Sequence, residues 1–329
     1  MRALRRVVVP ASRSSESRML RAAFVLFLLT PCVVADGGGA ERGGPSFPAR
    51  AEVVVEGKFK GAEGIAFNGE GRLFVTADDA LWEVTRGGEV RKVCDLHSAL
   101  GLAPVGKRDL LVADFGPRNA VAHGANTDGV VLRVTPEGAK AVVASGIADP
   151  NFVLRRADGS LLVSDDFTRD IWEVEPKTGR VKLFSDAVES PNGLALSGDG
   201  RTLYVAQIFR NFRHGVRPIE CDNRVWRIPL RKGRPAGAAS VVFSTGGVGC
   251  NDGLALDTEG RLYVAANREG RIWRVNPKDG SSVLIAEQSA ASIAFGAGDF
   301  DRRAIYVTEL RGGRVLKIQV GAKGARLYR

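Results

Sequence analysis

Histidine is almost absent from this 329-residue chain: His97, His123 and His214 are all it has. No GxSxG elbow accompanies them, so a serine hydrolase is unsupported. There is no GxGxxG and no phosphate-binding loop, and nucleotide cofactors find no support either. The lack of any CxxC pair removes a cysteine zinc site. Few stretches repeat apolar residues at i, i+3 and i+4, so surface helices are scarce. No apolar run reaches the roughly 20 residues that a stable membrane span needs. Runs of one charge sign are missing too. The formal net charge is +10, but residues 1–35 hold six arginines against one acid, and the other basic residues are scattered. Without a basic stripe or interleaved aromatics, nucleic acid is not expected as a partner.

What is present begins with an export signal. Arg18 and Arg21 precede an apolar run of about 14 residues, which ends in the small residues Val33 and Ala35. Residues 1–35 are therefore expected to be a signal peptide cleaved after Ala35, with Met19 as a possible start. Retention as an anchor is the alternative. Pro31 before Cys32 is wrong for lipid attachment. A Gly/Pro-rich linker at 36–50 then leads to one domain at 51–329, placed in the periplasm or outside the cell. Export leaves Cys94, Cys221 and Cys250, an odd count that allows one internal disulfide at most.

Forty glycines punctuate a repeat. The unit is a polar residue, Gly, an apolar strand, a Gly-bearing turn, then an apolar strand reaching Val. It reads Glu63-Gly-Ile-Ala-Phe with GEGRLFV, Asn192-Gly-Leu-Ala-Leu with GDGRTLYV, and Asp252-Gly-Leu-Ala-Leu with EGRLYV. Weaker copies open at Leu100, Asn151 and Ala291. A third strand (LWEV, VLRV, IWEV, VWRI, IWRV, VLKI) follows each, and most copies add a fourth. Six copies of four short antiparallel strands predict an all-β, six-bladed β-propeller. The extra strand AEVVVEGKF at 51–59 has no partners of its own and is expected to complete the last blade, leaving no open edge.

In a propeller the first strand of each blade lines the central channel. The residues opening those strands form a ring: Glu63, Leu100, Asn151, Asn192, Asp252 and Ala291. Two carboxylates and two amides there suit a hard divalent cation, calcium first, with magnesium or manganese as alternatives. Zinc is a weaker option, because the ring has no His or Cys.

The EG, PNG and NDG openings, each followed by an apolar strand and a DG or EG turn, resemble the regucalcin/gluconolactonase (senescence marker protein) family over roughly residues 51–320. The resemblance implies that Glu63, Asn192 and Asp252 bind a divalent metal, and that Asn151 helps bind metal or substrate. It also implies lactone hydrolysis. Phe152 departs from the Asp or Gly that often follows the third-blade Asn in that family.

The expected function is metal-dependent hydrolysis of a small lactone or ester. The cation would polarise the carbonyl and activate water, with Asp252 as candidate base or as ligand only. Asp114, Asp165, Gln207 and Glu309, two residues past the strand Val, are candidate substrate contacts in an outer ring. Long insertions at 115–129 and 208–223 leave the same face, and Arg210, Arg213 and His214 are candidate contacts on the second. A binding or scaffold propeller without catalysis, and a non-hydrolytic enzyme resembling strictosidine synthase with Glu309 as its acid, are the alternatives. Cys221 and Cys250 fall in neighbouring blades on the metal face and are the candidate disulfide, leaving Cys94 as a buried free thiol. Oligomeric state is not legible.

Overall fold

The structure is a computed structural model that describes residues 44–117, 127–211 and 220–327, all within one unit spanning 43–329. Six antiparallel sheets follow one another along the chain. Blade one is Ala62–Phe67, Leu73–Ala77, Ala80–Val84 and Val90–Asp95. Blade two is Ala99–Val105, Asp109–Asp114, Gly129–Val134 and Lys140–Ile147. Blade three is Pro150–Arg155, Leu161–Asp165, Ile171–Glu175 and Arg180–Ser185. Blade four is Pro191–Leu196, Thr202–Gln207, Arg224–Arg231 and Ser240–Ser244, with a short extra strand at Arg234–Pro235. Blade five is Asn251–Leu256, Leu262–Ala266, Arg271–Val275 and Ser282–Ala286. Blade six is Ser292–Phe295, Ala304–Glu309 and Arg314–Gln319. Its fourth strand is Glu52–Val55, which pairs antiparallel with Arg314–Gln319. The six-bladed propeller is thus closed by the strand that the sequence left without partners. No helix among the described residues is long and apolar enough to cross a membrane.

The second strands explain why the ring packs. LFV, LLV, LYV and AIYV are continuous apolar runs, as expected of strands covered on both faces. Leu73 and Val75 of blade one join Phe300 and Tyr306 of blade six, while Phe74 between them joins Leu110 and Val112 of blade two. The same alternation fills the other interfaces, so the core is six clusters between successive blades. Phe47, in the segment before the closing strand, joins the cluster between blades five and six, and the Ala49 amide donates to the Ile285 carbonyl at 2.7 Å.

The inner strands also touch one another. The glycine after the ring residue recurs because neighbouring backbone fills the space that a side chain would need. A methyl group on Gly193 would lie 2.3 Å from the Asp252 carbonyl oxygen, and one on Gly64 would lie 2.0 Å from that of Leu100. Hydroxyls stitch three of these contacts. Thr76 Oγ1 donates to the Leu100 carbonyl at 2.6 Å, Ser164 Oγ to the Asn192 carbonyl at 2.8 Å, and Thr308 Oγ1 to the Glu63 carbonyl.

Gly193→Ala should therefore lower the urea midpoint at an unchanged slope, by about 1–3 kcal/mol of overpacking. A midpoint equal to that of the parent would show that the inner strands can move apart.

Candidate functional site

The ring residues stand out of the sheets for a local reason. In blades one to five the pairing of first and second strands slips at one place. Ala62 pairs with Ala77 but Ile65 with Val75; Asn251 pairs with Ala266 but Leu254 with Val264. Blades two, three and four slip in the same register. Such a bulge re-aims a side chain away from the ladder. The first residues inside the five bulges are Glu63, Leu100, Asn151, Asn192 and Asp252. Blade six pairs without a slip from Ser292 to Phe295, and Ala291 precedes its strand. Inner strands of successive blades contact one another all round the ring, so the bulges circle the axis.

Three of the buried acids feel one another's charge. Burial pushes the Glu63 carboxyl up to about 7. Burial and then repulsion from Glu63 raise Asp252 well above the usual carboxylate range. Asp166, at the end of the second strand of blade three, is raised in the same way, by burial and then by Glu63. These acids come from blades one, three and five. Groups on alternate blades act on one another only across the central channel.

Amides orient the acids. Asn192 Nδ2 donates to Asp166 Oδ1 at 3.3 Å, and Asn267 Nδ2 donates to Asp252 Oδ2 at 2.9 Å. Ser289 Oγ donates to Asn267 Oδ1 at 2.8 Å, which fixes that amide. Glu63 Oε2, Asn192 Oδ1 and both amide atoms of Asn251 are buried without a hydrogen-bond partner. Asn151 is buried at 4% exposure in the equivalent bulge. Among the described residues, no three His, Cys, Asp or Glu side chains form a ready-made metal cluster, so amide oxygens would have to complete any cation site. Orphaned oxygens beside mutually repelling carboxylates fit a hard divalent cation, which supplies the missing positive charge.

Asp166 and Asn267 were not singled out in the sequence. Both lie three residues past the strand Val (Val163 and Val264), one beyond the outer ring read from the repeat. Continuing the register by one residue would have found them.

The residues of that outer ring have other partners. Asp114 accepts from the amides of His97, Ser98 and Gly116 at 3.0, 3.1 and 2.9 Å. Asp165 accepts from Trp172 Nε1 at 3.4 Å. Burial, then repulsion from Asp149, raises it to about 6. Gln207 accepts from Trp226 Nε1 at 2.8 Å and donates to the Phe209 carbonyl at 2.8 Å. Glu309 is paired with Arg314 at 2.9 Å and accepts from Gln288 at 3.0 Å; the Arg314 hydrogen bond holds its carboxyl below the usual range. These side chains tie strands and loops of their own blades, and the axis acids are Glu63, Asp166 and Asp252.

The second insertion starts and ends in a two-stranded ribbon, Phe209–Arg210 with Glu220–Cys221. Arg210 pairs with Glu220 across it at 3.0 Å. Arg213 and His214 lie outside the described residues. Cys221 and Cys250 form a disulfide, with Cα atoms 4.6 Å apart. The Asp222 carbonyl accepts from the Cys250 amide at 2.7 Å. Bridge and bond together hold the segment leading into Asp252 against the base of the insertion. Cys94, the one free cysteine among the described residues, is half-buried rather than fully buried, and burial raises its thiol.

This geometry defines a six-bladed propeller with an acidic, oxygen-lined axis. Residues 164–311, a little under half the chain, match the family described as SMP-30/Gluconolactonase/LRE-like region, which bears out the resemblance carried by the motifs. Rabbit (Oryctolagus cuniculus) regucalcin is 28% identical over 137 residues, 41% of this chain and 42% of its own length. The alignment with that relative thus spans under half of it. Among solved structures, a calcium-binding protein, regucalcin, from Agrobacterium tumefaciens superposes with a TM-score of 0.68 at 21% identity, covering 85% of this chain and 98% of that one. A gluconolactonase from Xanthomonas campestris gives 0.64 at 18% identity, covering 83% and 90%. At these identities the superpositions establish the fold.

Two outcomes test the site. Glu63 titrates near 7 when folded against about 4.5 unfolded, so the folded state holds its proton more tightly. That stability is present below the unfolded value and lost as pH rises through the folded one. The metal-stripped protein should melt at progressively lower temperature between about pH 5 and pH 8, and a divalent cation should restore more at the upper end. A flat, cation-insensitive profile would contradict the buried-acid assignment. Thiol titration of the denatured, unreduced chain from residue 36 onward should find one free cysteine; three would reject the bridge.

Proposed function

We propose that this chain is a divalent-metal-dependent hydrolase of a small lactone or ester. The observation that carries the reading is the group of three carboxylates from alternate blades, repelling one another beside orphaned amide oxygens. Glu63, Asn192 and Asp252 would hold the cation, with Asn151 beside them and Asp166 orienting Asn192. When bound, such a cation supplies Lewis acidity toward a carbonyl oxygen and lowers the pKa of water. The chain does the rest. Asp252 Oδ2 accepts from Asn267, which leaves Oδ1 to take a proton from the attacking water. Its placement on a bulge fixed by the disulfide and by the Asp222 carbonyl limits its motion. Likeness to the SMP-30/gluconolactonase family supports the reaction class. That the Xanthomonas protein is a gluconolactonase and the Agrobacterium protein a calcium-binding protein agrees with it. Calcium is the first metal to try, then magnesium, manganese and zinc.

Export to the periplasm or cell exterior is part of the same proposal. What supports it is the apolar run before Val33 and Ala35 and a disulfide in the domain that follows. The mature chain should then begin at Asp36.

Chelation should abolish hydrolysis across a panel of lactones and aryl esters, and metal add-back should restore it. Asp252→Asn should keep part of the metal affinity but lower kcat by about 100-fold or more if the carboxylate is the base. Asp252→Asn turning over at the parent rate would limit Asp252 to ligation. Activity indifferent to chelation would overturn the metal-dependent reading.

A further inference from the structure

This inference rests on the hydrolase reading and names its substrate class. Two positions of the repeat carry the axial groups described above: the bulge residue, and the residue three past the strand Val, where Asp166 and Asn267 stand. In blade two both are apolar, Leu100 and Phe115. Phe115 and Phe167 are buried against each other, and Leu100 and Phe209 pack on that pair while keeping some surface open. The Phe115 and Phe167 rings meet edge to face at 6.1 Å. Phe167 stacks on Phe209 at 6.1 Å with 9° between planes. The three aromatics follow the second strands of blades two, three and four, and Phe167 directly follows the axis acid Asp166. An apolar wall therefore joins the strand ends of blades two to four, starting at the residue next to Asp166. Arg210 next to it is occupied by Glu220.

We propose that Leu100, Phe115, Phe167 and Phe209 form the subsite for the substituent of the substrate, so that the lactone or ester carries a hydrocarbon or aryl group there. A polyhydroxylated chain would leave hydroxyls unpaired against this wall, at a cost, whereas each methylene removed from water gains affinity, about fourfold at full burial.

The probe is a series of γ-lactams of increasing alkyl chain length, which mimic the lactone ring and resist hydrolysis. They are titrated calorimetrically into the metal-loaded full chain, with the matching γ-lactones assayed for hydrolysis in parallel. Lactam affinity should rise about two- to fourfold per methylene. Leu100→Asn and Phe209→Ala, both at half-buried positions, should each flatten that rise. A flat lactam series, no lactam binding, or equal affinity for a polyhydroxylated lactam would overturn the subsite. A rising lactam series without lactone turnover would sink the hydrolase reading and leave the subsite standing. Turnover with a flat series would do the reverse.

Discussion

Three buried carboxylates that repel one another across the propeller axis constrain everything around them. Glu63, Asp166 and Asp252 come from blades separated by 103 and 86 positions in sequence, and only closure of the ring brings them together. Closure depends in turn on Glu52–Val55 completing the last sheet and on the recurrent glycine that lets inner strands approach to contact distance. The fold holds an unfavourable concentration of negative charge at one place. Such an arrangement is tolerated when protons or a cation neutralise it.

The bulges explain how a regular repeat yields an irregular site. A β-ladder sends alternate side chains to the two blade interfaces, where they make the core. One extra residue in the inner strand frees a single side chain from that alternation. The family of interfaces stays apolar while the freed position varies: acid, Leu, amide, amide, acid and, in blade six without a bulge, Ala. The first position past the second strand adds Asp166 and Asn267 on the polar side in blades three and five, and Phe115 on the apolar side in blade two. Polar and apolar groups at these positions can thus be varied separately, one blade at a time.

Much of this was legible in the chain. Fixed spacing from the polar opener to the strand Val set the blade count, and AEVVV without partners marked the closure. The ring residues could be named because one structural position recurred six times. The pairing of Cys221 with Cys250 followed from placing both on one face of adjacent blades. What the repeat hid was one residue of register: Asp165 and Asp166 are adjacent, and only the bend at the strand end decides which of them reaches the axis. Asp165 meets Trp172, and Asp166 meets Asn192. Likewise, nothing in the sequence of Glu309 shows that Arg314 pairs with it across the turn. The half-burial of Cys94 depends on packing of an outermost strand, which apolar neighbours alone do not determine.

The central claim is that one cation neutralises the axis acids. The most direct test is anomalous diffraction from crystals of the full chain soaked in a lanthanide or manganese salt as a calcium probe. The account predicts a single strong peak on the propeller axis, about 2.3–2.6 Å from oxygens of Glu63, Asn192 and Asp252. No peak on the axis, or peaks confined to surface acids, would contradict it.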